Sequence, residues 1–367
     1  MSKKPAVHFR ALIGCMVGVA FLGACAGLEQ DGAEQAKRPV VMDSQAQDLR
    51  DVTVLLSVGK TAVSMSESAM VTVTLRNDGR HAVKMLRWHT PAEGLEEPLF
   101  EVTRDGATVA FEGAHYKRPA PTEADYVRLA PGESLTRTVD LQGVYDLSKS
   151  GTYRVRFAFG EASGPVRQLA SNEVSLSIEG RPNPLLADKE VTASVTSSIS
   201  FNRCDATQQS TVLQAINAAS AMADDSNTYL TTTTPGATSR YTTWFGAYSS
   251  TNWNTAKTHF AAIKDAFDTK PITIDCGCKQ SYYAYVYPTK PYVIYVCKVF
   301  WSAPMTGTDS KGGTLIHEMS HFNVVAGTDD HAYGQTNAKN LALTNPTNAL
   351  DNADNHEYFA ENTPFLQ

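Results

Sequence analysis

The sequence predicts a multi-domain protein, with an all-β N-terminal half followed by an α+β C-terminal half. Two observations carry this reading. Between Asp51 and Ile178, short runs of alternating apolar and polar residues recur between turn signals, the period-2 pattern of half-buried strands. Beyond about residue 200 the apolar period changes to that of amphipathic helices, with two tyrosine-rich extended runs among them. The 367 residues suffice for two ordinary domains, each with its own core. A net charge of −6 offers no basic footprint, which argues against a nucleic-acid partner.

Lys3, Lys4 and Arg10 precede an apolar run from Ala11 to Ala24. That run is too short for a membrane span and reads as a secretory signal peptide over residues 1–25. Leu22-Gly23-Ala24-Cys25 fits a bacterial lipobox, in which Cys25 becomes lipidated and anchors the chain to a membrane. Ala24-Cys25-Ala26 also satisfies an ordinary cleavage rule, so both routes stay open, with the lipobox favoured. Either way the protein is expected to be exported, as a secreted or surface or outer-membrane protein of a bacterium. Residues 26–47 are polar and aperiodic, the composition of a flexible tether.

Residues 48–179 form the first domain. Its strands are expected at Val52–Leu56, Met70–Leu75, Leu99–Val102, Ser134–Val139 and Tyr153–Phe159. Asn77-Asp78-Gly79, Asp105-Gly106, Pro131-Gly132 and Ser150-Gly151 separate them as turns. Short strands at this spacing predict an immunoglobulin-like sandwich. His81, His89 and His115 are scattered through it and are read as surface or capped residues rather than ligands. Residues 180–199, with Gly180, Pro182, Pro184 and a Ser/Thr-rich stretch, read as a linker.

Within residues 200–367, helices are expected over Thr207–Tyr229 and Thr255–Asp268. Tyr282–Tyr287 and Tyr292–Cys297, joined through Pro288–Pro291, read as a hairpin. Its tyrosines are taken as structural, a substrate-binding edge being the other reading. A helix beginning near Lys311 and ending by Gly327 follows, then helices over Ala338–Leu343 and Asp354–Asn362.

The helix beginning near Lys311 contains His317-Glu318-Met319-Ser320-His321. Residues four apart share a helix face, so His317 and His321 can present two imidazoles to one zinc ion. Glu318 stands beside the first of them, where a carboxylate can take a proton from water. Thr314, Leu315, Ile316 and Met319 make the surroundings apolar, and buried polar groups need partners. The class turns on the third ligand. Val324 and Gly327 stand where a metzincin needs Gly and His, while Glu357 or Glu361 could serve as in a gluzincin. The run Gly327-Thr328-Asp329-Asp330-His331-Ala332-Tyr333-Gly334 instead matches G-T-x-D-x-x-Y-G.

On this pair of motifs the chain resembles the aspzincins, the family of deuterolysins and peptidyl-Lys metalloendopeptidases. The resemblance implies an α+β zincin-like metallopeptidase domain over residues 200–367, with one zinc ion per chain held by His317, His321 and Asp330. It also implies Glu318 as the general base and Tyr333 as the donor to the oxyanion. Four cysteines outside the signal allow three pairings. The family pattern implies Cys204–Cys276 and Cys278–Cys297, which suits an oxidising compartment. Asp354 and Glu357 lie three apart on one helix face and match the family's acidic pocket for a lysine just after the scissile bond.

The expected function is therefore a zinc endopeptidase acting on proteins, with cleavage on the N-terminal side of Lys. By the same resemblance the N-terminal domain is a propeptide that contacts the catalytic domain before activation, with a mature start near Ser198–Phe201. A permanent accessory domain is the other reading of that half. The alternatives for the whole chain are a deuterolysin-like enzyme without strict Lys preference and a surface adhesion lipoprotein with an inactive peptidase half.

Overall fold

A computed structural model describes residues 49–159, 169–181 and 199–367. The expected signal peptide, Cys25, the tether over residues 26–47, and residues 182–198 of the linker lie outside the described residues. Among the described residues no helix is long and apolar enough to cross a membrane.

The N-terminal half is built of strands β1 (Val52–Ser57), β2 (Ala62–Val63), β3 (Met70–Asn77), β4 (Val83–Leu86), β5 (Phe100–Arg104) and β6 (Ala107–Thr108). These are followed by β7 (His115–Lys117), β8 (Tyr126–Leu129), β9 (Ser134–Asp140), β10 (Gly151–Phe159) and β11 (Leu169–Ile178). An eight-stranded sheet runs β6-β5-β10-β11-β1-β3-β9, with β2 on β11, and β4 pairs separately with β8. In β1 and β3 every second residue is buried, the period expected of strands with one face in a core. The apolar faces meet in a cluster that includes Val71, Val73, Leu75, Tyr153, Val155 and Phe157. The long strand β11 had no counterpart among the expected elements, because Ser, Asn and Glu interrupt its alternation.

The second core belongs to residues 199–367. Its strands are β12 (Ile199–Asn202), β13 (Ile272–Asp275), β14 (Ala284–Val286) and β15 (Val293–Val296). Its helices are α1 (Ala206–Thr232), α2 (Ser239–Phe245), α3 (Ser250–Thr269), α4 (Lys298–Ser302), α5 (Lys311–His321), α6 (Gln335–Thr344), α7 (Pro346–Leu350) and α8 (Ala353–Glu361). The expected hairpin is β14 antiparallel to β15. The sheet order is β12-β13-β15-β14-β7, so its outermost strand comes from the N-terminal half. Disulfides join Cys204 to Cys276 and Cys278 to Cys297, tying α1 and the start of α4 to the ends of the sheet.

Helix α5 runs through the middle of this core, and all of its residues are buried. Ser310 caps it, accepting from the Gly313 N–H at 2.9 Å. Glu361 accepts from the Ser310 N–H and hydroxyl at 2.8 Å each at the start of the helix, and burial pushes its carboxyl up to about 9 against those bonds. Gly313 makes this contact possible, since a Cβ there would lie 2.1 Å from Glu361 Oε1. Glu361 is thus committed to the far end of α5 from the histidines and does not reach them as a ligand.

Candidate active site

At its C-terminal end α5 delivers His317 and His321 one turn apart, with their Nε2 atoms 3.1 Å from each other. The chain then turns at Gly327 (φ 62°) and returns with Asp330. Asp330 Oδ1 lies 3.3 Å from His317 Nε2, and Oδ2 lies 3.4 Å from His321 Nε2. Two ligands on a tetrahedral zinc with bonds of about 2.0–2.1 Å are about 3.3–3.4 Å apart; the two Asp330 spacings match this and the histidine pair is slightly closer, an arrangement that suits one zinc ion. Neither Asp330 oxygen has a hydrogen-bond partner, and its side chain is only 1 % exposed. A buried, unpartnered carboxylate between two imidazoles fits a cation.

The outer nitrogens of both rings face acceptors. His317 Nδ1 lies 2.9 Å from Asp354 Oδ1, and His321 Nδ1 lies 2.6 Å from the Thr328 carbonyl oxygen. Each partner favours the proton on Nδ1, which leaves Nε2 free to ligate. Asp354 also accepts from the Gly334 N–H at 2.6 Å, at a glycine with φ 85°. A role for Asp354 in orienting His317 was not legible in the sequence, since it depends on α8 packing against α5.

Glu318 is fully buried beside His317 and Asp330. Burial raises its carboxyl to about 8 against the pull of His317. The Lys117 backbone N–H favours its charged form, though neither Glu318 oxygen makes a hydrogen bond of ordinary geometry.

That lysine belongs to β7, which adds antiparallel to the tyrosine-rich edge strand β14 with Lys117 opposite Ala284, Tyr116 opposite Tyr285 and His115 opposite Val286. The Tyr283 N–H donates to the Lys117 carbonyl at 3.0 Å. Tyr116 packs on Tyr282 and Tyr285 at 5.1 and 5.5 Å between ring centres. These tyrosines, read from sequence as structural, therefore form the seat of an extended segment.

The Lys117 side chain is fully buried among the acidic residues of α8. Its Nζ lies 2.5 Å from Glu357 Oε2, 3.3 Å from Asp354 Oδ1 and 3.4 Å from Asp309 Oδ1. Burial opposes the charge on Lys117, but Asp354, Glu357 and Asp309 outweigh it and hold the ammonium well above the usual lysine range. Burial also pushes Glu357 up, whereas at Asp354 Lys117 and His317 overcome burial and the carboxyl is lowered. Asp354 and Glu357, expected to share a face, surround one ammonium.

Two further residues of the N-terminal half reach the site. Arg118 Nη1 donates to the Tyr333 hydroxyl at 2.5 Å, and that hydroxyl donates to Glu97 Oε1 at 3.2 Å. The phenol is buried and engaged from the N-terminal half. His115, read from sequence as a surface or capped residue, is instead buried, with its ring 4.8 Å from that of His321. The period-2 strand pattern turns it inward with Lys117, and a strand of three residues with one apolar neighbour gave no signal of that.

A family model described as "Lysine-specific metallo-endopeptidase" matches residues 229–361. The "Extracellular protease" of Aeromonas hydrophila is 50 % identical over 312 residues, 82 % of this chain and 89 % of that one. The "Peptidyl-Lys metalloendopeptidase" of Armillaria mellea is 36 % identical over 323 residues, 83 % of this chain and 90 % of that one. Among solved structures, a zinc peptidase from Grifola frondosa is 45 % identical, with a TM-score of 0.43, and covers 45 % of this chain and all of its own. With relatives of this identity along most of its length, the chain belongs to the aspzincins and is a zinc metalloendopeptidase.

Proposed function

We propose that the chain is a latent endopeptidase that cleaves on the N-terminal side of lysine, and that its N-terminal half is the inhibitory prodomain. The observation that carries this is Lys117, an internal lysine in extended chain, with its ammonium between Asp354 and Glu357 and its amide N–H toward Glu318. A substrate lysine placed the same way would have its preceding peptide bond beside the general base.

One zinc ion held by His317, His321 and Asp330 would supply a Lewis acid for the substrate carbonyl and acidify water. Glu318 takes the proton of the attacking water and returns one to the leaving amine. Asp354 keeps the His317 ring in place and, with Glu357, selects a compact ammonium over an acidic side chain. Tyr333, once free of Arg118 and Glu97, donates to the oxyanion. Backbone pairing along β14 orients the substrate, as it orients β7 here.

In this reading the protein is exported, with residues 1–25 as signal peptide and Cys25 as the favoured lipidation site. Residues 26–47 are a tether, residues 48–179 an immunoglobulin-like prodomain, residues 180–199 the linker cut on activation, and residues 200–367 the mature enzyme. The relative from Armillaria mellea is named for cleavage at lysine, which supports the same preference here. Digestion of a denatured protein by the processed enzyme, followed by mass-spectrometric mapping of new ends, tests the specificity. New N-termini at lysine are expected; cuts without regard to lysine would refute it. The latency is tested by the hydrolysis rate of the full-length chain before and after removal of residues 48–199, where equal rates would remove the prodomain role.

A further inference from the structure

If β7 lies in the cleft as a substrate does, its own Tyr116–Lys117 bond needs a reason to survive. Lysine selection explains how the segment binds, not why it resists cleavage. The reason lies one residue further along the strand. His115 points inward with Lys117, and one of its ring nitrogens lies within 4.8 Å of ligand atoms of both His321 and Asp330. A zinc with three protein ligands keeps its fourth position open for water or substrate, whereas a zinc with four is closed. Shortening a 4.8 Å spacing to the tetrahedral edge requires a shift of ~1.4 Å or less, within reach of a side-chain rotation. Asp329 stands 3.7 Å from His115 Nδ1, so a carboxylate is at hand to hold the ring by that nitrogen while Nε2 ligates.

We propose that His115 is a fourth metal ligand of the latent form, an imidazole from the N-terminal half that closes the zinc site by occupying the position that water needs. The inference rests on the ligand set and latency proposed above. Lys117 supplies the address and His115 the block. Neither bond making nor bond breaking in the chain is involved: an imidazole lone pair replaces that of water, and the exchange reverses when β7 leaves β14.

The test uses full-length protein carrying Glu318→Gln, so that it stays intact, loaded with zinc. X-ray absorption at the zinc edge is expected to fit three imidazole nitrogens, falling to two in the added variant His115→Phe, which keeps an aromatic ring against His321. Loss of zinc to a chelator is expected to be at least tenfold faster in His115→Phe than in its parent. Circular dichroism and melting of both proteins show that the comparison is between folded chains, and His115→Gln repeats it with a polar side chain. Two imidazoles in the parent, or three retained in both His115 variants, would overturn the fourth ligand. That result, with inhibition still dependent on Lys117, would leave the proposed function standing. Zinc bound without His317 and His321 would overturn both.

Discussion

Lys117 and Arg118 are adjacent, both buried, and both cationic, yet their carboxylate partners come from opposite halves of the chain. The carboxylates around Lys117 come from the C-terminal half: Asp309, Asp354 and Glu357. Those on Arg118 come from its own half, Glu96 at 3.0 Å and Glu97 at 2.5 Å. The difference separates what docks the strand from what the strand brings with it. Removing Lys117 strands charge across the contact between the halves, while Arg118 leaves its carboxylates behind inside one of them. Under the proposed latency, only the first should govern it.

Lys117→Met in the full-length chain is the sharpest way to break the comparison. Taking one partner from a buried ion pair costs about 3–5 kcal/mol, because the remaining charge is left uncompensated. The uncut chain should hydrolyse a lysine-containing peptide on the order of 10²-fold faster than its parent, with intactness checked by gel. An unchanged rate would mean that the acidic pocket does not hold the prodomain. Tyr333→Phe in the processed enzyme should lower kcat by about 10², the scale of one lost oxyanion donor. A normal kcat with weakened substrate binding would return that phenol to a structural role.

Within the pocket the two carboxylates can be told apart. Asp354 touches both Lys117 and His317, whereas Glu357 is nearer the ammonium, at 2.5 Å, than His317 Nδ1, at 3.5 Å. Asp354→Asn should weaken zinc by about 10–100-fold as well as lysine selection, since it removes the charge and leaves one acceptor oxygen for two donors, His317 Nδ1 and the Gly334 N–H. Glu357→Gln should relax lysine selection and leave zinc affinity within a few-fold. Competition with a chelating dye measures the first and the ends of a digest the second; equal zinc affinities in the two variants would dissolve the distinction.

What was legible in the sequence follows contact distance along the chain. The spacing His317–His321 is a property of one helix turn, and Asp330 follows in the next loop, so a local pattern holds all three. Asp354 and Glu357 were legible as a pair for the same reason, three apart on α8. Their shared guest was not, because Lys117 is 237 residues from Asp354 and reaches it only by strand addition at an edge. Strand β12 and strand β13 were missed on similar grounds: each has four residues, too few to display a period. His115 was misread because a histidine's neighbours in sequence say nothing of an edge pairing made with another half of the molecule.

Arg118→Met is the smallest expected effect and the one that completes the contrast. Burial raises Glu97 to about 8 against the opposing charge of Arg118. Between its ordinary value of 4.5 and about 8, the folded chain therefore holds a proton that the unfolded chain has released, and the stability from this group falls as pH rises through that window. With Arg118 gone, Glu97 can meet the loss by keeping its proton, at little cost in acid and at greater cost in alkali. The melting temperature of Arg118→Met should accordingly lie closer to that of its parent at about pH 5.5 than at about pH 8.5. Latency should change by only a few-fold at either pH, since Lys117 still fills the pocket. A gain in activity of the uncut chain as large as that of Lys117→Met would show that the strand is held through Tyr333 and not through its lysine.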